Sequence, residues 1–597
     1  MRADDEPSSA NDGRNYHRIP MTSATTVIVA DVITMDRANP RAEAVAFRGG
    51  TVVAVGRRAE VCARAGPHST VIELEGTVVP GFIDPHHHLF LVAADRWGWR
   101  PPDLAPRSIP ALLAEIRAIA AAHDDDGWLR IHGYKPLALA ERRSPTAAEL
   151  DSACEDRPLL VLGLTYHESS LNSLGLARLG WHHATPDPPG GRIVRDRRGR
   201  PTGVIIESAS LIAEATSRST LIRPDSAARW SERARRHALV LAHAGITRIG
   251  DAAVPPVGMS LYDDLVSTGG LAVTVHRFPV GESAVSTPVT DPLPTTARKN
   301  DLTGAPRAPV GPAKLLADGG ERCALCMTGR QVLSSVVSTV RYTLTRGLRV
   351  ATIANRGGRA TRGDDHRYYT GMRVLDDDGL HDSVTRLAGH GMQVAIHAIG
   401  NAGVEASLGA LEAAAGTLAG LPGAPRLEHA MILDKPLVER IAAARVRVVT
   451  QPVFLRDLGD ELAALPLPRP LRLMPTRSLV DAGVVVAASS DFPAASLEPL
   501  TGIQTAITRR LRDGSQVAPE EALSPEEALR LYTTSAADSL GLTGRAGVLS
   551  EGADADLVLL SGDPLATDPE RISAIRVLKT WVAGRLVVGE TTSHDRA

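Results

Sequence analysis

Eight short apolar runs, most of them followed by a stretch of helical character, constrain this chain more than any other feature. The runs are TVIELEGTVVPGFID (70–84), ITRIGDA (246–252), LAVTVHR (271–277), GPAKLLAD (311–318), MQVAIHA (392–398), PRLEHA (425–430), VRVVTQP (446–452) and VVVAASSD (484–491). Helical candidates rich in Ala, Leu and Arg fall at 225–244, 328–347, 379–390, 402–417 and 434–443. Strand–helix units repeated in this way predict a parallel sheet, and eight of them predict an α/β chain of the TIM-like (β/α)8 barrel type.

The two chain ends read differently. TTVIVADVITMD (25–36) and AEAVAFRGGTVVAVG (42–56) are hairpin-like, and ADLVLLSGD (555–563) and IRVLKTWVAGRLVVG (575–589) are strand-like again. A β-element made from both ends is therefore expected to bracket the rest. Between the first two barrel strands lie roughly 160 residues, too many for a loop. WLRIHGY (128–134) and PLLVLGLTYH (158–167) give this stretch strands of its own, so it is read as an inserted α/β subdomain, about 95–235. The resulting division is a disordered tail over 1–24, an end-built β-domain over 25–80 plus 540–590, and a barrel over 81–539. Met21 is an alternative start, and the Pro/Thr/Ser-rich stretch 278–310 is read as a long surface loop.

Composition narrows the partners. With 43% hydrophobic and 22% charged residues the 597-residue chain is globular, not disordered. Lys+Arg at 66 against Asp+Glu at 68 leaves a net charge of -2, so no broad footprint for nucleic acid or an anionic membrane is expected. No apolar run approaches the roughly 20 residues of a spanning helix. Four cysteines make no disulfide framework, and the polar first twenty residues lack the apolar core of a secretory signal. A cytoplasmic, reducing setting is the default expectation, with homo-oligomerisation left open.

The chemistry-bearing residues gather at strand ends. In VVPGFIDPHHHL, strand alternation points His86 and His88 to one side and His87 to the other. Two imidazoles on one face suit a divalent transition metal. Lysine is scarce here (Lys135, Lys299, Lys314, Lys435 and Lys579), yet Lys314 sits inside an apolar strand. It either snorkels to solvent or is kept neutral by burial, in which case it can take up carbon dioxide as a metal-bridging carbamate. His397, His429 and Asp491 end three further strands, and catalytic groups at several strand ends are what such a barrel supports.

These residues, with GWLRIHGY, TYHESSLNS, TGVIIES, AGITRIGD, AKLLADG, MQVAIHAIGN, RLEHA, TQPVF, SSDFP and GVLSEGADADLVLLSGDPL, resemble the amidohydrolase superfamily, specifically amidohydrolase family 3, over about residues 25–590. The resemblance implies a metal-dependent barrel hydrolase with a small β-sandwich built from both chain ends. It implies that His86, His88 and Asp491 hold one metal, that His397 and His429 hold a second, and that carbamylated Lys314 bridges two divalent ions, expected to be zinc. Asp491 would be the catalytic proton carrier beside a metal-activated hydroxide. Tyr134 and His167, from the insertion, would approach the substrate; Gln451 and Glu428 would line the pocket or orient neighbours. The implied reaction is hydrolysis of carbon–nitrogen bonds other than peptide bonds, in a small-molecule substrate that is an amide, N-formyl or cyclic amide. A deaminase or ester hydrolase on the same scaffold is the alternative, and a metal-free scaffold is disfavoured by the complete ligand set.

Three features depart from the pattern or stand outside it. Asn401 replaces the family's usual Asp, Cys323-Ala-Leu-Cys326 is read as two thiols without special function, and the Arg-rich 355–367 is read as a solvated loop.

Overall fold

The computed structural model describes residues 24–94, 105–122, 127–219, 226–268, 270–281, 308–346, 358 and 360–589. The tail 1–23, Met21 included, and most of the 278–310 stretch lie outside the described residues.

Eight strands carry the middle of the chain: β1 (Phe82–His87), β2 (Ile246–Val254), β3 (Thr274–Pro279), β4 (Ala313–Leu316), β5 (Val394–Ala398), β6 (Arg426–His429), β7 (Arg447–Thr450) and β8 (Val486–Ala488). All their ladders are parallel. They form a three-stranded sheet, β3-β2-β1, and a five-stranded sheet, β4-β5-β6-β7-β8. The strands are almost wholly buried, which is why they read as unbroken apolar runs. A lone parallel bridge, Arg277 to Val310, leads from the first sheet towards β4. After β8, the Asp491 amide donates to the His86 carbonyl at 2.9 Å and the His88 amide to that of Phe492 at 3.0 Å.

Helices Ala227–His243, Gly329–Arg346, Asp377–Gly389, Asn401–Ala413 and Lys435–Ala443 fall between the eight strands as the alternation requires. Asp376 and Asp434 cap two of them through side-chain oxygens that accept from Gly379 and Leu437. One large apolar cluster joins four of these helices to the eight strands; Gly329–Arg346 stands outside it, with Leu333, Val336, Val337, Val340 and Leu344 exposed.

Both chain ends meet in a single seven-stranded sheet. Its order is 585–588, 577–582, 557–560, 70–80, 26–33, 41–48, 51–56. The central strand Thr70–Pro80 pairs in parallel with Thr26–Ile33 and antiparallel with Leu557–Leu560. One face packs Val27, Ala44 and Ala46 on the helix Arg58–Ala65; on the other, Ile28, Val45 and Val78 join Leu557 and Trp581. The ladders give one hydrogen-bonded sheet here, with apolar side chains on both faces. Between β1 and β2 a separate five-stranded sheet runs 129–134, 159–163, 168–171, 201–207, 191–195.

Two local differences from the sequence reading matter. The strand expected over 484–491 stops at Ala488, and Asp491 adopts a left-handed φ of 52°. Within the supposed loop 355–367, Thr361–Arg362 is a short strand paired with Tyr368–Thr370, which also pairs with Leu325–Met327; residues 355–357 and 359 lie outside the described residues. Backbone pairing gives that polar segment a fixed place despite its exposure. Among the described residues no helix is long and apolar enough to cross a membrane.

Candidate functional site

The ends of β1, β4, β5 and β6 and the loop after β8 converge on one cavity of about 320 Å³, whose lining includes His86, His88, Lys314, His397, His429 and Asp491. His86 Nε2 lies 3.3 Å and His88 Nε2 3.0 Å from Asp491 Oδ1. Lys314 Nζ is 3.5 Å from His86 Nε2. The His429 ring centre is 4.5 Å from that of His397 and 5.1 Å from that of His86. His87 turns the other way, to Asp84 at 3.0 Å and His237 at 3.0 Å, with its ring stacked on Phe492.

Each ring is aimed by a partner behind it. His86 Nδ1 is 2.5 Å from Glu428 Oε2, His88 Nδ1 2.9 Å from the Ala252 carbonyl, and His429 Nδ1 2.8 Å from Gln451 Oε1. These acceptors fix the Nδ1–H tautomer and turn the Nε2 lone pair into the cavity. Glu428 is itself gripped by Arg426, at 2.6 and 3.0 Å, and neither residue has any exposed surface. Burial opposes ionisation of Glu428, but Arg426 and His86 outweigh it and hold the carboxylate well below its usual range. Strand alternation puts Arg426 and Glu428 on one side of β6 and His429 on the other.

Burial dominates the remaining electrostatics. It pulls Lys314 down to about 8, against the raising effect of Glu428 and Asp491. It pushes His397 well below the ordinary imidazole value and His429 down to about 3, so both rings are neutral. Burial also opposes ionisation of Asp491, which is only slightly exposed, yet His86 and His88 keep its carboxylate below the usual range. His429 and Asp491 both sit at positive φ, 75° and 52°, a strain that non-glycine residues carry mostly at functional positions.

The donor set fits a divalent transition metal. The ligand atoms of His86, His88 and Asp491 lie within 4.8 Å of one another. His397 Nε2 is buried without a hydrogen-bond partner, an arrangement that leaves its lone pair or proton unanswered unless something binds there. Neutral imidazole nitrogens with one carboxylate are the ligands such ions take.

Among the other expected residues, Tyr134 and His167 line the cavity. His167 Nδ1 binds Glu207 Oε2 at 2.6 Å, and its ring lies 5.5 Å from that of His397. Burial lowers the His167 pKa, but the Glu207 charge overrides it and holds the value up. Tyr134 is almost fully buried, with its hydroxyl 3.5 Å from Ser170 Oγ. Gln451 does not reach the cavity wall: it is fully buried behind His429, and its amide nitrogen donates to Ser489 Oγ at 2.9 Å. Of the two places expected for Gln451, lining the pocket or orienting a neighbour, its contact with His429 Nδ1 is the second.

Asn401 accepts from the Cys326 amide at 3.0 Å and donates to the Cys326 carbonyl at 2.8 Å. An ionised Asp has no donor for the second bond, so the departure pins the loop after β4. Both cysteines are free thiols, and burial pushes Cys323 upward, away from reactivity.

Two supporting carboxylates were not singled out from the sequence. Glu207 accepts the amides of Gly320, Glu321 and Arg322 at 2.7–3.0 Å besides holding His167. Asp318 accepts the amides of Ala324, Ile399 and Gly400, each at 2.9 Å, and burial raises its pKa to about 7. Asp318 closes an apolar run much as Asp491 does, and Glu207 closes Val204-Ile205-Ile206 in the inserted sheet, so that signal was present for both; their partners carried none.

Similarity to known proteins agrees with this geometry. The family model described as "Amidohydrolase family" matches residues 70–588. An N-substituted formamide deformylase from Arthrobacter pascens is 28% identical across 95% of this chain and 98% of its own length. A putative amidohydrolase, YtcJ, from Bacillus subtilis is 28% identical across 93% of this chain and 98% of its own. An uncharacterized metal-dependent hydrolase from Pyrococcus horikoshii superposes with a TM-score of 0.64 at 20% identity, covering 92% of this chain and 99% of that one, a likeness of fold. The chain belongs to the amidohydrolase family and is a hydrolase.

Proposed function

We propose that the protein is a metal-dependent hydrolase of carbon–nitrogen bonds other than peptide bonds, acting on a small amide, N-formyl or cyclic amide. The observation that carries this reading is the convergence of His86, His88, His397, His429, Lys314 and Asp491 on a single cavity. His86, His88 and Asp491 would hold one divalent ion, His397 and His429 a second, with zinc as the metal in this reading. Lys314 would span the two as a carbamate. Its burial raises the share of neutral amine, the form that adds to carbon dioxide, making an N–C bond and releasing one proton.

When bound, such an ion pair polarises a carbonyl and acidifies a water. The chain supplies the rest. Asp491, ionised through its contacts with His86 and His88, takes a proton on its carboxylate and returns it to the leaving nitrogen. Glu428, the Ala252 carbonyl and Gln451 keep three rings in the tautomer that presents Nε2. Leu, Met and Phe side chains around the cavity exclude bulk water. The relative named as a formamide deformylase supports the carbon–nitrogen assignment. The same reading takes 81–539 as a closed barrel, 25–80 plus 540–590 as the end-built β-sandwich domain and about 95–235 as the insertion. The Arg277–Val310 bridge and the Asp491 amide bond to His86 support closure.

The test is a screen of N-formyl amines, N-acyl amines and cyclic amides with zinc-loaded protein, beside amino-heterocycles and esters. Hydrolysis of an amide, loss of it on chelation and recovery with zinc are expected, at about two metal ions per chain. A zinc-supplemented protein that stays metal-free, or a loaded one that cleaves only esters or amino-heterocycles, overturns the reading.

A further expectation concerns Gln451→Leu. It removes the acceptor that orients His429 and should weaken metal binding about 10–100-fold, read by chelator competition. Unchanged affinity would show that packing alone holds the ring.

A further inference from the structure

We infer that the amide cleaved here carries neutral, apolar substituents, and that a carboxylate next to the scissile bond is turned away. The inference rests on the carbon–nitrogen reading above. Its own evidence is the cavity wall beyond the ligand-bearing floor.

Much of that wall is apolar: Leu211, Met327, Met431, Phe454, Leu462 and Leu465 face it from four separate parts of the chain. Phe454 stands beside the reacting centre, its ring stacked against that of His429 with 6.5 Å between centres. A flat apolar substituent placed next to the scissile bond would meet this ring.

The wall's cations are already answered by protein oxygens. Arg218 binds Glu214 at 2.8 Å, and Glu214 is shared with Arg130 at 3.0 Å. Arg322 binds Glu168 at 2.7 Å and Glu321 at 3.2 Å. Lys135 donates to the Asp457 carbonyl at 2.6 Å, and His167 is held by Glu207 at 2.6 Å. Arg218, Glu214, Arg322 and Glu168 are also almost fully buried. A substrate carboxylate entering the cavity would lose water and, beyond the metal-ligand floor and among the described residues, find no cation that is not already spoken for; taking a charge out of water without a partner is strongly unfavourable. A phenyl or alkyl group gains what the carboxylate loses, since its transfer onto Leu, Met and Phe is favourable.

A matched pair isolates the charge: N-formyl-2-phenylethylamine and N-formylphenylalanine differ only in the carboxylate. With the metal-loaded full chain, kcat/KM should be at least about 100-fold higher for the neutral compound. Phe454→Ala should lower kcat/KM for that compound about 10-fold, mainly through KM, and by clearly more than it lowers that for N-formylmethylamine. Equal turnover of the two phenyl compounds, or preference for the carboxylate, overturns the inference and leaves the carbon–nitrogen reading standing. If neither formamide is hydrolysed, that reading loses its formamide branch. The inference is then decided by equilibrium dialysis of 2-phenylethylurea against N-carbamoylphenylalanine: tighter binding of the neutral urea supports it, and equal or reversed binding overturns it.

Discussion

Asp491→Asn is expected to keep its fold and its metal while losing about 10³-fold in kcat on the best amide found. The geometry makes this substitution unusually clean. Asp491 occupies a left-handed φ of 52°, a conformation that Asn adopts more readily than most residues. The amide oxygen of Asn can still face His88 Nε2, 3.0 Å away in the wild type. What Asn cannot do is accept a proton and pass it on. Rate, metal content and thermal melting should be measured on the same preparation. Wild-type turnover would remove Asp491 from the proton path, and loss of metal with the rate would make it a ligand first.

Glu428→Gln should have the largest effect on stability, about 3–5 kcal/mol. Glu428 and Arg426 are both wholly buried, and the carboxylate answers the guanidinium at two nitrogens while accepting from His86. A neutral amide leaves the Arg426 charge stranded, although Arg426 also donates to the Pro85 carbonyl at 2.8 Å. Denaturant titration of the single variant should show the loss. The paired replacement Arg426→Met with Glu428→Met should recover much of it, because removing both charges leaves nothing unpaired. Metal affinity should stay low in both, since His86 has lost the group that aims it. A stable Glu428→Gln protein would mean that water or another group neutralises Arg426.

The residues at strand ends were legible because buried parallel strands advertise themselves as apolar runs, and a polar side chain at the end of one stands out. His86, His88, Lys314, His397, His429 and Asp491 were all reached in that way, and they do face one cavity. The supports behind them were harder. Arg426 and Glu428 carry a local signal, two opposite charges spaced i and i+2 on an apolar strand, which alternation places together. The pairing of Glu207 with His167 has no such signal, because it depends on how the inserted sheet meets the loop after β4. The same holds for Gln451, whose contact with His429 joins the ends of two different strands. The early end of β8 is a matter of the turn that Asp491 takes, which no apolar pattern encodes.

The sheet shared by the two chain ends also sets an order of assembly. Thr70–Pro80 leads through Gly81 directly into β1, and so into His86 and His88. Its free edge is completed by Leu557–Leu560, with Leu557 opposite Pro80 and Leu559 opposite Val78. While the chain is being made, that edge stays unpaired until residues 557–560 leave the ribosome. The segment carrying the first two histidines therefore waits on a partner from far along the chain, and a message truncated before residue 557 should yield an open, association-prone sheet in place of a shortened enzyme.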